Sequence, residues 1–171
     1  MNNNFQKQSV QALRRHLSAQ SKHDASLEAA IQTQMQSPSN LVKDVAAECG
    51  LTLSNFLSHD RLELYYDIFR ANHSVGYIAK GWKDPGFRIG DAINIMRGEE
   101  EVAYKAHSHE IMRFCATNGI VISIDETTEA MDLQLEGLIY TEGFNRHTFL
   151  KTLETVIECV EKAKGFIPRV V

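Results

Sequence analysis

The sequence predicts an α+β fold: an antiparallel sheet of about five strands packed against helices, in the order α-β-β-β-α-β-β-α with an extended helical N-terminus. Three observations carry this. Residues 4–36 contain neither Gly nor Pro and repeat their apolar residues at helical spacing. After Asp60 the apolar period shortens to two. Residues 98–119 and 145–165 then return to a helical period, with two short strand-like stretches between them.

Taken in order, Val10, Leu13 and Leu17, then Leu27, Ala30 and Ile31, mark two amphipathic helices or one long helix with a weak middle at Ser21–Asp24. Ser37-Pro38-Ser39-Asn40 breaks the pattern. Asn40 is a candidate cap for a short helix from Leu41 to Cys49, and Gly50 is placed to end it. A further helical turn is expected from Leu53 to Leu57.

Leu62, Leu64, Tyr66 and Ile68 alternate with Arg61, Glu63, Tyr65 and Asp67, which is a strand. Asn72-His73-Ser74 supplies turn residues, and Val75–Trp82 reads as a second strand. Asp84-Pro85-Gly86 is a turn signal, because Pro presets one dihedral and Gly permits a positive one. Phe87–Met96 reads as a third strand, weakened by Gly90.

The run Glu99-Glu100-Glu101 suits the positive end of a helix dipole. Val102, Ala106, Met112 and Cys115 are expected on that helix's inner side, and Asn118-Gly119 closes it. Ile120–Ile124 and Met131–Tyr140 are the last strands. Asn145 caps a final helix whose stripe is Phe149, Leu150, Leu153, Val156, Ile157, Val160 and Ala163, ended by Gly165 and Pro168. This organisation divides into a helical extension, residues 1–57, and an α+β domain, residues 58–171.

Composition sets the class. The 171 residues are 43% hydrophobic and 23% charged, as in ordinary globular proteins. Eighteen Lys and Arg stand against 22 Asp and Glu, a net charge of −4. That acidic balance argues against a dedicated nucleic-acid partner. No apolar run approaches the ~20 residues that span a bilayer, so no membrane association is expected. Met1–Gln6 lacks the basic-then-apolar pattern of a secretory signal. Cys49, Cys115 and Cys159 are odd in number and widely spaced, as in reduced thiols, and a cytoplasmic location is expected.

Candidate chemistry is sparse. His107-Ser108-His109-Glu110 is the densest group of ligand types, but residues two apart on a helix diverge and cannot share a metal. His109-Glu110 begins a zinc-protease pattern that fails at Arg113, where the second His belongs. Cys115 and Cys159 sit on apolar helical stripes, the usual place of a small buried hydrophobe. No nucleophile elbow, phosphate loop or dinucleotide fingerprint is present, so no catalytic residue, metal or cofactor is assigned. Asn72-His73-Ser74 fits a glycosylation sequon but reads as turn chemistry. Val45–Phe56 has the outline of a helix-turn-helix, with Thr52, Ser54, Asn55 and His59 on its second helix and only Arg61 basic.

The aromatics Tyr65, Tyr66, Phe69, Tyr77, Trp82 and Phe87 all fall in the three-strand meander. Alternation sends Tyr66 to one face, and Tyr65 and Phe69 to the other. One face must pack on helices. The other is either covered as well, for example by the N-terminal helices, or offered to another chain. These six aromatics are the candidate partner-binding residues.

The element order, with Met131-Asp132-Leu133-Gln134-Leu135-Glu136-Gly137-Leu138-Ile139-Tyr140 followed by the helix Asn145–Lys164, resembles the class I type III secretion chaperones and their YbjN-like relatives, over residues 60–164. The resemblance rests on topology, size and acidity rather than on a diagnostic motif. Residues 1–57 exceed that family's single first helix. The resemblance implies a homodimer, paired through the middle helix (99–118) and its neighbouring strand. It also implies that the N-terminal segment of a secreted effector is held extended by strand addition and groove filling, without covalent chemistry. Three other readings compete: a helix-turn-helix regulator with an α+β sensing domain, an immunity protein that neutralises a toxin, and a small enzyme or metal protein using His107, His109 and Cys115.

Overall fold

Helix α1 (Pro38–Glu48) opens on Ser37, whose hydroxyl accepts the Asn40 amide at 3.3 Å and whose carbonyl accepts that of Leu41. Ser37, not Asn40, is therefore the cap, and Pro38 fills the first helical position, where its missing N–H costs nothing. The structure, a computed structural model, describes residues 37–55 and 62–167. The apolar stripe of residues 10–31, the residues Phe56, Leu57, His59 and Arg61, and Pro168 lie outside the described residues. Contacts divide the chain into a unit of residues 1–41, of which Ser37 and the first turn of α1 are described, and a unit of residues 42–171.

The larger unit starts ahead of residue 58 because Val42, Val45 and Ala46 are buried and the next segment joins the sheet. That segment, β1 (Thr52–Asn55), corrects the expected helical turn. It pairs antiparallel with β2 (Leu62–Arg70), Leu53 opposite Ile68 and Ser54 opposite Asp67. Val45–Asn55 is thus a helix followed by a strand, and the second helix of a helix-turn-helix is absent from the described residues. Pairing with β2 overrides a weak local preference.

β2 turns into β3 (His73–Gly81) through Ala71 and Asn72, both left-handed at φ 49° and 67°. This is the conformation that matches a tight hairpin to strand twist. β3 pairs with β4 (Gly86–Met96) across the turn 82–85, where Asp84 accepts the Gly81 amide at 2.8 Å. Then follow α2 (Glu99–Thr117), β5 (Val121–Glu126), β6 (Ala130–Tyr140) and α3 (Arg146–Lys164). All pairings are antiparallel, and the sheet order is β1-β2-β3-β4-β6-β5. The α+β class and the helix-strands-helix-strands-helix order are as expected, with β1 as a sixth strand.

The helices cover one face. Tyr66 and Ile68 on β2, Ile78 on β3, Phe87, Ile89, Ile93 and Ile95 on β4, and Met131, Leu133, Leu135 and Ile139 on β6 are buried there. Helix α3 lies on β4 and β6 with Phe149, Leu153, Val156, Cys159, Val160 and Ala163 inward. Asn145 caps α3 by accepting the His147 and Thr148 amides, while Thr148 closes a reciprocal capping box.

On α2 the inner side differs from expectation. Tyr104, Ile111 and Cys115 are buried, whereas Val102 and Met112 are exposed. Positions 104, 111 and 115 project within about 20° of their common direction at ~100° per residue; 102 and 112 do not. The apolar body of Tyr104 takes the place assigned to Val102.

Gly137 sets the fit of α3 to the sheet. A Cβ there would lie 2.5 Å from the Thr152 Cγ2 and 3.2 Å from the Ile120 Cδ1. Gly137→Ala is therefore expected to cost about 1–3 kcal/mol by overpacking, with part of the loss restored when Thr152→Ser removes the opposing methyl; urea unfolding of the single and double variants checks this. Ala71→Asn should raise stability by about 0.5–1 kcal/mol, since Asn tolerates the left-handed region that Ala resists. Thermal unfolding of that variant with no rise in midpoint would contradict the strain.

The open sheet face as candidate functional site

The face away from α2 and α3 carries the residues alternate to the core. The ladder registers align them in rows. One row crosses all six strands as Ser54, Asp67, Tyr77, Gly90, Glu136 and Val121. The next runs Tyr65, Ala79, Arg88, Leu138. Both combine large rings with very small neighbours.

That contrast shapes a groove. Ala79, opposite Tyr65, leaves room for the Tyr65 ring to lean diagonally onto Tyr77; the rings stack with centroids 5.4 Å apart and planes at 20°. Tyr77 in turn crosses over Gly90, and its hydroxyl donates to the Glu136 Oε1 at 2.6 Å, one strand beyond. A Cβ on Gly90 would come within 2.7 Å of the Tyr77 hydroxyl. The glycine expected to weaken this strand is what lets a tyrosine lie across it.

The groove has a volume of about 340 Å³ and is lined by Leu62, Tyr65, Asp67, Ser74, Gly76, Tyr77, Ala79, Arg88, Asp91, Ala92, Gln134 and Glu136. Among the described residues its charges are three carboxylates and one guanidinium. Arg88 is engaged by Glu136 at 3.6 Å and by Asp84 at 3.4 Å. Asp67 accepts the Ser54 hydroxyl at 3.2 Å and a hydrogen bond from Tyr65. Asp91 accepts the Ala92 amide at 2.8 Å. A larger depression, about 650 Å³, lies at the start of α3 beside Glu48; its lining is mostly exposed, and the Asn145 Oδ1 in it already accepts the His147 and Thr148 amides.

Both tyrosines hold their protons tightly. Desolvation first, then the charge of Asp67 and a hydrogen bond to it, push Tyr65 up to about 12. Desolvation and the bond to Glu136 push Tyr77 further in the same direction.

The candidate aromatics divide. Tyr65, Phe69 and Tyr77 are half-buried on the open face, and Trp82, in the β3–β4 turn, is 67% exposed. Tyr66 and Phe87 belong to the core instead, at 7% and 0% exposure. Tyr66 lies under the Lys43 ammonium, and Phe87 packs on Phe144 at 4.3 Å. They occupy the helix-facing phase of their strands, so neither is available to a partner on the open face. Leu138, Tyr140 and Met96 are exposed on the open-face phase of β6 and β4. Sequence reading missed Asp67, Asp91, Arg88 and Glu136. The signal was present as charged residues inside strand patterns, Asp91 between Ile89 and Ile93 above all; their convergence depends on register.

The His-Cys grouping is not assembled. His107 is exposed, stacks on Phe166 at 4.9 Å and lies 4.0 Å from Glu110, while His109 is exposed elsewhere on α2. Cys115 is buried eight residues, about 12 Å of helix, from His107. It contacts the thiol of Cys159, which burial pushes up to about 12, the protonated and unreactive condition. Among the described residues no three His, Cys, Asp or Glu side chains gather to hold a metal ion. No helix among them is long and apolar enough to cross a membrane.

Because the folded state binds the phenolic protons more tightly than the unfolded chain, their contribution to stability is complete below about pH 10 and is lost as pH rises through about 12 for Tyr65. Absorbance titration of the folded protein should show three tyrosines ionising late, Tyr65 and Tyr77 of the groove and the buried Tyr104 of α2, and Gly90→Ala, which dislodges Tyr77, should return at least one of the groove pair toward the ordinary range.

No family model matches the chain, and no curated protein matches it. Among solved structures, an uncharacterized protein from Methanothermobacter thermautotrophicus is similar, with a TM-score of 0.59 at 12% identity, covering 73% of this chain and 92% of that one. At that identity the likeness shows a shared fold.

Proposed function

We propose that this protein is a non-catalytic polypeptide-binding chaperone of the kind its element order resembles, the class I type III secretion chaperones. Its client is an extended segment, such as the N-terminus of a secreted effector, laid on the open sheet face. The observation that carries this reading is the Tyr65–Tyr77 groove on a face that neither α2 nor α3 covers. On the same face Phe69, Leu138 and Tyr140, and Met96 at the far end of β4, leave apolar surface accessible in part or in full. Surface of this kind is used to bind other chains. An extended peptide offers side chains in the same two-residue period as the strands beneath it. The protein acts in the cytoplasm as a homodimer, with Val102 and Met112 on α2 and Val121 and Ile124 on β5 as the exposed apolar groups that pair two copies. An immunity protein would use the same surface on a single toxin.

A photo-crosslinking residue placed at Ala92, on the groove rim, should capture a defined polypeptide in the cytoplasm, while the same residue at His109 on α2 should not capture it. The captured chain, purified, should bind the unmodified protein, and Ala92→Trp, which fills the groove from an exposed position, should weaken binding about tenfold or more without lowering the unfolding midpoint. Binding unaffected by Ala92→Trp, or capture of nucleic acid alone, overturns this reading.

A further inference from the structure

We infer that the groove selects a cationic side chain, an arginine guanidinium above all, on the polypeptide that occupies it; this rests on the polypeptide-binding reading and adds its specificity. The argument begins with which groups remain to a ligand. The Tyr77 hydroxyl is committed to Glu136 at 2.6 Å, and that of Tyr65 to Asp67. Both phenols stay neutral, so the rings present electron-rich faces and no competing positive charge. Among the described residues the groove's one cation, Arg88, is shared between Glu136 and Asp84. Asp67 and Asp91, among the described residues, hydrogen-bond to neutral donors: the hydroxyls of Ser54 and Tyr65, and the Ala92 amide. Each carboxylate has about four acceptor sites, so both keep capacity for more donors.

An anionic side chain would meet three carboxylates against Arg88, a guanidinium already shared between two of the protein's own acids, and a purely apolar one would leave Asp67 and Asp91 without a countercharge. A guanidinium supplies what the site lacks: a flat cation that stacks on a tyrosine ring, with donors along its edge for carboxylates. An ammonium meets the charge but not the planar fit. Asp67 on β2 lies opposite Tyr77, and Asp91, although its neighbours Ile89 and Ile93 face the helices, lines the groove just past the last β3–β4 pair, so carboxylates of β2 and β4 border the groove on either side of β3.

The test uses the full chain and two acetylated, amidated peptides, Ser-Thr-Arg-Thr-Ser and the same peptide with citrulline for Arg, a neutral isostere. Titrations followed by ring and amide chemical shifts should move Tyr65, Tyr77 and their neighbours with the Arg peptide. Affinity for it should exceed that for the citrulline peptide by about tenfold or more and fall as salt rises. Asp67→Asn with Asp91→Asn should remove the preference, while Asp125→Asn on β5, outside the groove, should leave it intact. If the double variant is less stable, the salt dependence and the isostere comparison on the unaltered chain decide alone. Equal affinity for the two peptides overturns the cationic specificity and leaves polypeptide binding standing. Absence of groove shifts with either peptide also overturns it, and the Ala92 crosslinks then judge the broader reading separately.

Discussion

The structure depends on one constraint: the described helices bury a single phase of each strand. Helix α3, seated on β4 and β6 over Gly137, fixes which phase of each strand is inside. A one-residue slip of β4 would move Ile93 and Ile95 into water and bring Arg88 under the helix, and a slip of β6 would do the same with Leu133, Leu135 and Glu136. Desolvating those charges without compensating partners would cost far more than the slip could recover. The position of every open-face residue therefore follows from a core it does not touch.

Given that register, the groove is a packing problem solved on a surface. Rows that cross the sheet place Ala79 beside Tyr65, and Gly90 beside Tyr77, on neighbouring strands. The rings fall into the space that the small residues leave, and each is pinned by a hydrogen bond to a carboxylate. Pinning matters for binding, because rings already stacked and oriented lose little further freedom when a ligand arrives. The same bonds consume the phenolic donors, so the groove meets a ligand with ring faces and acceptor oxygens. Its selectivity is thus a consequence of how its own polar groups are satisfied.

Much of the fold was legible because its signals are local. The period change at residue 60, the acid run before α2 and the Asn145 cap are each read from a few adjacent residues, and the elements form close to the expected places. The misreadings share a cause as well. β1 exists because β2 offers it an edge, which no property of Thr52–Asn55 announces. Val102 was given an inner position that Tyr104 occupies, because a tyrosine's apolar body counts toward burial although its hydroxyl is polar. The groove was legible only in part: Tyr65 and Tyr77 follow from alternation, but Asp67, Gly90 and Glu136 fall into one row through three separate registers. Phe87 and Tyr66 were grouped with them by sequence proximity, when strand phase is what divides a sheet's faces.

The dimensions of the open face bear on the size of its ligand. The β4–β6 ladder runs from Gly86 opposite Tyr140 to Met96 opposite Ala130, eleven pairs and about 33 Å at ~3.3 Å per residue, so an extended segment of about ten residues laid along it passes Tyr140, Leu138, the groove and Met96 in turn. A small molecule filling 340 Å³ would use the groove alone and leave Leu138, Tyr140 and Met96 in water. A polypeptide segment can fill the groove with one side chain while its neighbours cover that apolar surface, adding burial at about 25 cal/mol per Å². Under the function proposed above, the central site would fix where along the client the protein binds, and the surrounding apolar contacts would supply affinity with little sequence demand. A protein that must hold a largely unstructured segment at a defined place, without folding it, needs that division between one selective contact and many permissive ones.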